Sequence, residues 1–117
     1  MSCELSIFNF QLSTDLSRLQ QLTTFLEESP DDAFLLFALA KEYEKMSDMV
    51  QALQYYTRLE ILHPNYVGTY YHLGKLYEKL NLHDKAIDTY EKGMIIAKKE
   101  NDKHAYSELQ NALDDII

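Results

Sequence analysis

Side chains able to carry chemistry are scattered along this sequence rather than grouped. The histidines include no zinc-binding pair of the form His-Glu-x-x-His. They are His63, His72, His83 and His104. No glycine-rich loop is available to hold phosphates, and Cys3 has no identifiable activating partner. We therefore predict no catalytic residue, no metal site and no cofactor.

Acidic pairs are the remaining candidates for acid–base chemistry. They are Glu27/Glu28, Asp31/Asp32 and Asp114/Asp115, and all three lie at predicted helix ends. The helix dipole favours anions at a helix start, which explains Asp31 and Asp32 without catalysis. The prediction is that the chain is not an enzyme, and an enzyme or metal-binding protein is the third-ranked alternative.

Composition narrows the class of protein. The 117 residues suit one small domain, and the net charge is -8. No basic stripe is present, which argues against nucleic acid and against a membrane surface as partners. One cysteine allows no disulfide framework and fits a reducing, cytoplasmic setting. No basic residue precedes Arg18, so the start does not read as a signal peptide, and no apolar run is long enough to span a bilayer.

Hydrophobic spacing predicts helices almost throughout, since glycine (3) and proline (2) are scarce. The predicted helices cover residues 15–28, 31–45 and 49–62, then two helices separated by a break at Asn81, then one that opens at Asn101 or Asp102. Ser13 or Thr14 offers the first N-cap. Residues 1–12 alternate loosely and are predicted to form either an extended arm or an apolar tail.

An internal repeat organises these helices. Residues 33–66 align without a gap on residues 67–100, 34 positions later. In both units the first helix has a small residue followed three positions later by tyrosine, and the second helix has alanine followed four positions later by tyrosine. The first unit reads Leu36-x-x-Leu39-Ala40-x-x-Tyr43, Ala52-x-x-x-Tyr56, Pro64; the second reads Tyr70-x-x-Leu73-Gly74-x-x-Tyr77, Ala86-x-x-x-Tyr90.

This pattern resembles the tetratricopeptide repeat, and residues 66–80 look like those of small free-standing bacterial proteins of that family. The small residues Ala40 and Gly74 are expected where two helices cross closely. The tyrosines of the pattern are expected to bury their rings and keep their hydroxyls hydrated. Tryptophan is absent from its usual place in the pattern, where Leu36 and Tyr70 stand.

The resemblance implies an all-α solenoid of right-handed helical hairpins with two full repeats. Residues 1–30 are predicted to be an arm and the second helix of an incomplete unit, with Arg18 at its small position. Residues 31–100 hold the repeats 33–66 and 67–100. Residues 101–117 are a capping helix, because Glu108 stands where a small residue is required and Lys98 replaces the closing proline.

The family lines a concave groove with the first helix of each repeat, and this implies the candidate binding site. Carried over by position, the groove residues are Phe34, Phe37, Lys41, Lys45, Tyr71, Lys75 and Lys79, with Glu44 and Glu78 beside them. An aromatic pair, Phe37 and Tyr71, would lie beside a cationic pair, Lys41 and Lys75. The clamp that family members use on chaperone C-termini is not reproduced, because Phe37 stands where that clamp has a lysine.

The resulting functional prediction is a non-catalytic module that binds a peptide or protein in this groove. The plainer interpretation is that the lysines pair with neighbouring glutamates as ordinary solvated charge. The alternative function is a self-associating subunit, a weak homodimer formed through the incomplete repeat and the apolar arm with Ile7, Phe8 and Phe10.

Overall fold

The computed structural model describes residues 17–117, and within this range it contains six helices and no strand. The predictions for Ser13, Thr14 and the arm lie outside the described residues. The helices are α1 (17–28), α2 (Ala33–Lys45), α3 (Met49–Leu62), α4 (Gly68–Lys79), α5 (His83–Lys99) and α6 (Lys103–Ile116). The prediction of an all-α fold is confirmed.

Aspartates start three of the helices. Asp32, Asp48 and Asp102 are N-cap residues of α2, α3 and α6, and each carboxylate accepts a hydrogen bond from a backbone N–H three residues on. These bonds satisfy donors that the first turn of a helix leaves without a partner. The predicted starts of α3 and α6 are confirmed, and α2 begins two residues later than the predicted residue 31.

Three helices end in the same turn, which needs a left-handed residue. The φ angles are 63° at Ser47, 61° at Asn81 and 59° at Asn101. After α2, the N–H of Asp48 donates to the carbonyl of Tyr43 at 2.9 Å, and equivalent bonds follow α4 and α5. This pattern closes the helix sharply and lets the next helix return antiparallel. The break predicted at Asn81 is confirmed.

Consecutive helices pack as hairpins along the chain. Helix α2 pairs with α3, α4 pairs with α5, and α6 covers α5 and contacts α4. Helix α1 packs on α2 through Leu26, which joins Leu36, Leu39 and Leu59 in one buried cluster. The result is a row of antiparallel helices, with α2, α4 and α6 related by the repeat. No helix in the described range is long and apolar enough to cross a membrane.

The hairpins close because small residues face large rings. An ideal Cβ placed on Gly74 would lie 2.2 Å from Cε1 of Tyr90. In the first repeat Ala40 occupies the equivalent position and packs in one buried cluster with Tyr56. The prediction that Gly74 is small because two helices cross closely there is confirmed.

A second pair of facing positions differs in side-chain size between the two repeats. In the first repeat the pair is Leu36 and Leu59, which share a buried cluster. In the second repeat, 34 residues on, the pair is Tyr70 and Gly93, and a Cβ on Gly93 would lie 2.4 Å from Cβ of Tyr70. The second repeat thus has a tyrosine and a glycine where the first repeat has two leucines, and the hairpin stays closely packed.

We predict that Gly74→Ala and Gly93→Ala each lower the free energy of unfolding by about 1–3 kcal/mol, because the added methyl group overpacks the helix crossing. Chemical denaturation measures the loss. Glycine to alanine within a helix is otherwise stabilising by roughly 0.5–1 kcal/mol, so the direction of the change is diagnostic.

The matched control is Gly68→Ala. A Cβ at Gly68 would meet no side-chain atom closer than 3.8 Å, so this variant should be neutral or slightly more stable. If Gly74→Ala and Gly93→Ala were as stable as Gly68→Ala, the close approach of the helices would be wrong.

Candidate functional site

One surface of the molecule is formed where α2 and α4 lie side by side. The ring of Phe37 on α2 lies 5.2 Å from the ring of His72 on α4. Further along, Nζ of Lys79 on α4 lies 3.3 Å from Oε2 of Glu44 on α2. We call the residues Phe37, Lys41, Tyr71, His72 and Lys75 the groove surface.

A row of rings crosses the groove surface, with His72 at its centre. Its imidazole meets Phe37 edge-on at 5.2 Å and Tyr71 edge-on at 5.5 Å. Below it, the ring of Tyr56 is parallel at 6.3 Å between centroids. Phe37 also contacts Tyr66 at 5.7 Å. Phe37 and Tyr71, which the sequence suggested as a pair, are therefore joined through His72.

Two lysines border the row of rings, and their surroundings differ. Lys41 is exposed, and its ammonium lies 3.4 Å from Nδ1 of His72. Because an ammonium can only donate, Nδ1 accepts and the imidazole proton is on Nε2. Lys75 lies over the Tyr71 ring at 5.7 Å and 3.6 Å from a carboxylate oxygen of Glu78.

Burial lowers the pKa of His72 below its usual value, and the nearby charge of Lys41 lowers it further. Glu44 and Glu108 raise the pKa of His72, but these are the smaller effects. The imidazole is therefore neutral at neutral pH, as its hydrogen bond from Lys41 requires.

The same hydrogen bond holds a glutamate beside the groove surface in each repeat. The hydroxyl of Tyr56 donates to Oε1 of Glu44 at 2.8 Å, and the hydroxyl of Tyr90 donates to Glu78. Burial, followed by these bonds, raises the pKa of both tyrosines. The prediction that these hydroxyls stay hydrated was wrong, since both tyrosines are fully buried and their partners are carboxylates.

The predicted pairing of lysines with neighbouring glutamates is confirmed for Lys75, whose ammonium lies 3.6 Å from Glu78, but Glu44 and Glu78 are not ordinary solvated charge. The side chain of Glu44 is 14% exposed and that of Glu78 is 21% exposed. Each accepts from a buried tyrosine and lies near a lysine of α4. Their side chains are therefore held in fixed positions beside the groove surface.

The other sequence-predicted residues lie around the groove surface. Lys45 and Lys79 line a depression at the C-terminal ends of α2 and α4, together with Lys41, Glu42 and Glu44. Phe34 lies in the first turn of α2, is 67% exposed, and has no ring contact within the described residues. The structure thus places Phe37, Lys41 and Tyr71 against His72, with Lys75 over the Tyr71 ring, and leaves Phe34 at the edge.

Sequence reasoning missed His72 as a residue of the groove surface and Tyr66 as a ring that contacts Phe37. The repeat aligned His72 with Ala38, and a search for residues shared by both units passes over such a position. A bulky polar residue on a first helix, where the other repeat has alanine, was the available signal. Tyr66 ends the turn between the repeats and had no such signal.

The remaining histidines show no grouping for chemistry. His63 contacts the backbone carbonyl of Asp31, His83 is exposed, and His104 lies 3.9 Å from Glu108. Across residues 17–117, no group of three or more histidine, cysteine, aspartate or glutamate side chains could hold a metal ion.

The fold and the groove surface define a helical-hairpin repeat protein, and comparison with known proteins identifies its family. The profile described as tetratricopeptide repeat matches residues 67–102. A tetratricopeptide repeat domain protein from Salinibacter ruber is 46% identical, with 73% of this chain and 94% of that chain covered and a TM-score of 0.70. The chain belongs to the tetratricopeptide repeat family.

More distant structures share the fold alone. PcrH is 15% identical, with 97% of this chain and 86% of that chain covered and a TM-score of 0.80. The first repeat domain of Spaghetti (RPAP3) is 18% identical, with 97% and 85% covered and a TM-score of 0.73. No curated protein matches the sequence.

We predict that His72 makes the fold less stable in mild acid. Its pKa is lower in the folded than in the unfolded chain, so its contribution is complete above the unfolded value of about 6.5 and is lost as the pH falls from there through the lower pKa of the folded chain. Between about pH 7.5 and 5, the free energy of unfolding should therefore fall more in the unmodified chain than in His72→Gln.

Chemical denaturation across this pH range gives the two slopes. His83→Gln is the matched control, because His83 is exposed at the start of α5, and it should keep the slope of the unmodified chain. Equal slopes for the unmodified chain and His72→Gln would contradict the assignment of a neutral, half-buried His72.

Proposed function

We propose that this protein is an interaction module that holds a peptide or a helix of a partner protein against the groove surface, without catalysing a reaction. Two proteins of the same fold support this class of function. PcrH was crystallised with the chaperone binding region of PopD, and the Spaghetti (RPAP3) domain is bound to the HSP90 peptide SRMEEVD. The proposed setting is the cytoplasm, which suits a chain with one cysteine.

The observation that carries the proposal is the position of Lys41. This exposed lysine lies beside the row of rings, and its ammonium contacts a neutral imidazole at 3.4 Å. Among the described residues no carboxylate lies within 4 Å of the Lys41 ammonium, whereas Lys75 and Lys79 each have a glutamate within 4 Å. Lys41 is therefore the best placed of these three lysines to bind a carboxylate of a partner.

The rings set the second requirement on a partner. Phe37, Tyr71 and His72 are half-buried and present ring edges and faces beside Lys41. Rings of this kind bury apolar side chains well. The geometry fits a segment in which an apolar side chain lies next to an aspartate or glutamate.

The charge of the whole protein sharpens this preference. The chain has 11 lysines and arginines against 19 aspartates and glutamates. Four of those cations are at or beside the groove surface: Lys41, Lys45, Lys75 and Lys79. An acidic partner is repelled by the protein as a whole and attracted at this surface, so the lysines decide where it binds.

We predict that Lys41→Glu combined with Lys75→Glu abolishes binding to peptides selected by the unmodified protein from a bead-displayed random decapeptide library. Selected peptides should have aspartate or glutamate beside leucine, isoleucine or phenylalanine. Reversing both charges should cost about 2 kcal/mol or more, which is at least about a thirtyfold loss of affinity. Fluorescence anisotropy with labelled peptides measures it.

The control is Lys99→Glu combined with Lys103→Glu, which changes the net charge equally on exposed residues outside the groove surface. This variant should lose affinity only weakly, and circular dichroism should show the same helicity in all three proteins. Equal binding by the groove variant and the unmodified protein would remove the proposal.

A further inference from the structure

Lys41 and His72 place a titratable base next to a cation on the groove surface. Nδ1 of His72 lies 3.4 Å from the ammonium of Lys41, and it accepts the hydrogen bond of Lys41 only while the imidazole is neutral. Lys41 is exposed and His72 is half-buried. The base therefore lies beside the position at which a partner's carboxylate is proposed to bind.

The surroundings of His72 favour the neutral imidazole. Burial has the largest effect and lowers the pKa of His72, and the charge of Lys41 lowers the pKa further. The carboxylates of Glu44 and Glu108 raise the pKa of His72, but by less. A further carboxylate beside Lys41 would oppose the second of these effects. The titratable groups around the imidazole are Lys41 and Glu44 on α2, Tyr56 on α3, Tyr71 on α4 and Glu108 on α6.

A carboxylate bound beside Lys41 would favour a proton on His72 in two ways. It offsets the positive charge of Lys41, and its own negative charge attracts the proton. Once Nδ1 is protonated, it becomes a donor, so the ammonium and the imidazolium present two donors 3.4 Å apart. The two oxygens of one carboxylate can accept from both of them in charge-assisted hydrogen bonds.

We propose that His72 is a second carboxylate-binding residue of the groove surface, and that it takes up a proton from solvent when an aspartate or glutamate of a partner binds beside Lys41. This inference rests on the proposed function and adds a coupling between pH and affinity. The carboxylate and the proton strengthen each other's binding by the same factor, because linkage is reciprocal. Acidic segments therefore bind more tightly in mild acid than at neutral pH.

The repeat shows why this coupling belongs to Lys41 and not to the equivalent lysine, Lys75. The 34-residue offset places Tyr106 on α6 where Lys41 has His72, and a tyrosine cannot become a cation. Lys75 also lies 3.6 Å from a carboxylate oxygen of Glu78. Proton uptake on binding therefore marks the position of the partner's carboxylate along the groove surface.

The pKa of His72 in the unmodified chain is the first measurement, and it needs no variant. NMR follows the imidazole ring protons across pH, without a probe and with each of two short probes at matched ionic strength. The probes are acetyl-Leu-Glu amide and acetyl-Leu-Gln amide, which differ only in the carboxylate. The pKa of His72 should rise with the glutamate probe and stay unchanged with the glutamine probe.

Affinity gives the reciprocal measurement. Between about pH 7.5 and 5.5, where a glutamate side chain stays ionised, affinity for the glutamate probe should rise at least about threefold as the pH falls. Affinity for the glutamine probe should not rise. The factor obtained from affinity should agree with the factor obtained from the change in the pKa of His72. Circular dichroism checks that the chain stays folded at each pH.

His72→Gln should remove the rise in affinity in mild acid, whatever its affinity at neutral pH, because an amide does not titrate in this range. The matched control is His104→Gln, which removes an exposed histidine 3.9 Å from Glu108 and should keep the rise. A rise that survived in His72→Gln and disappeared in His104→Gln would assign the proton to the wrong histidine and would overturn the proposal.

The outcomes separate this inference from the proposed function. If the glutamate probe bound with no change in the pKa of His72 and no dependence on pH, the proton coupling would be wrong and the interaction module would stand. If neither probe bound at any pH, the carboxylate site at Lys41 would be overturned together with the coupling. Selection from the random decapeptide library tests separately whether the groove surface binds peptides in another way.

Discussion

A buried tyrosine on each second helix determines both the packing of its hairpin and the electrostatics of the groove. Tyr90 passes over Gly74 so closely that a Cβ there would lie 2.2 Å from the ring, and its hydroxyl ends on Glu78. Tyr56 packs with Ala40 and donates to Glu44 at 2.8 Å. The small residue leaves room for the ring, and the ring places its hydroxyl donor against a glutamate beside the groove surface.

This arrangement decides which cations remain available at the groove surface. Glu44 and Glu78 are held in place by their tyrosines, and they lie 3.3 Å and 3.6 Å from Lys79 and Lys75 respectively. Lys41 has an imidazole as its neighbour instead. By fixing the two glutamates, the buried hydroxyls place carboxylates beside Lys75 and Lys79, while Lys41 contacts the imidazole of His72. The same two hydrogen bonds therefore belong both to the packing of each hairpin and to the arrangement of charge beside the groove surface.

The local features of the fold were predictable because their signals are local. Aspartate caps, the break at Asn81 and the small residue at Gly74 each follow from the requirement of one turn or one helix crossing. The hydroxyl bonds were not predictable in this way, because they join residues 12 positions apart on two helices, and periodicity reports only the face on which a residue lies. His72 was missed for a related reason. Its role comes from contacts with Phe37 and Lys41 in the preceding repeat, and these depend on how two repeats stack.

The two ends of the row of helices differ in what they can accept. On α6, Glu108 stands where Ala40 and Gly74 admit a tyrosine, and it is 46% exposed with His104, 91% exposed, one turn before it. A carboxylate at this position gives α6 a polar, partly exposed residue where Ala40 and Gly74 face a buried tyrosine. On α1 the equivalent inner face presents Phe25, and an exposed aromatic side chain gains free energy when it is covered. Glu108 has a second effect, since it raises the pKa of His72 and so places negative charge near the row of rings. In the proposed function, the charge of Glu108 disfavours acidic residues of a partner on the α6 side of the groove surface, and this favours placing the partner's carboxylate towards Lys41 on α2.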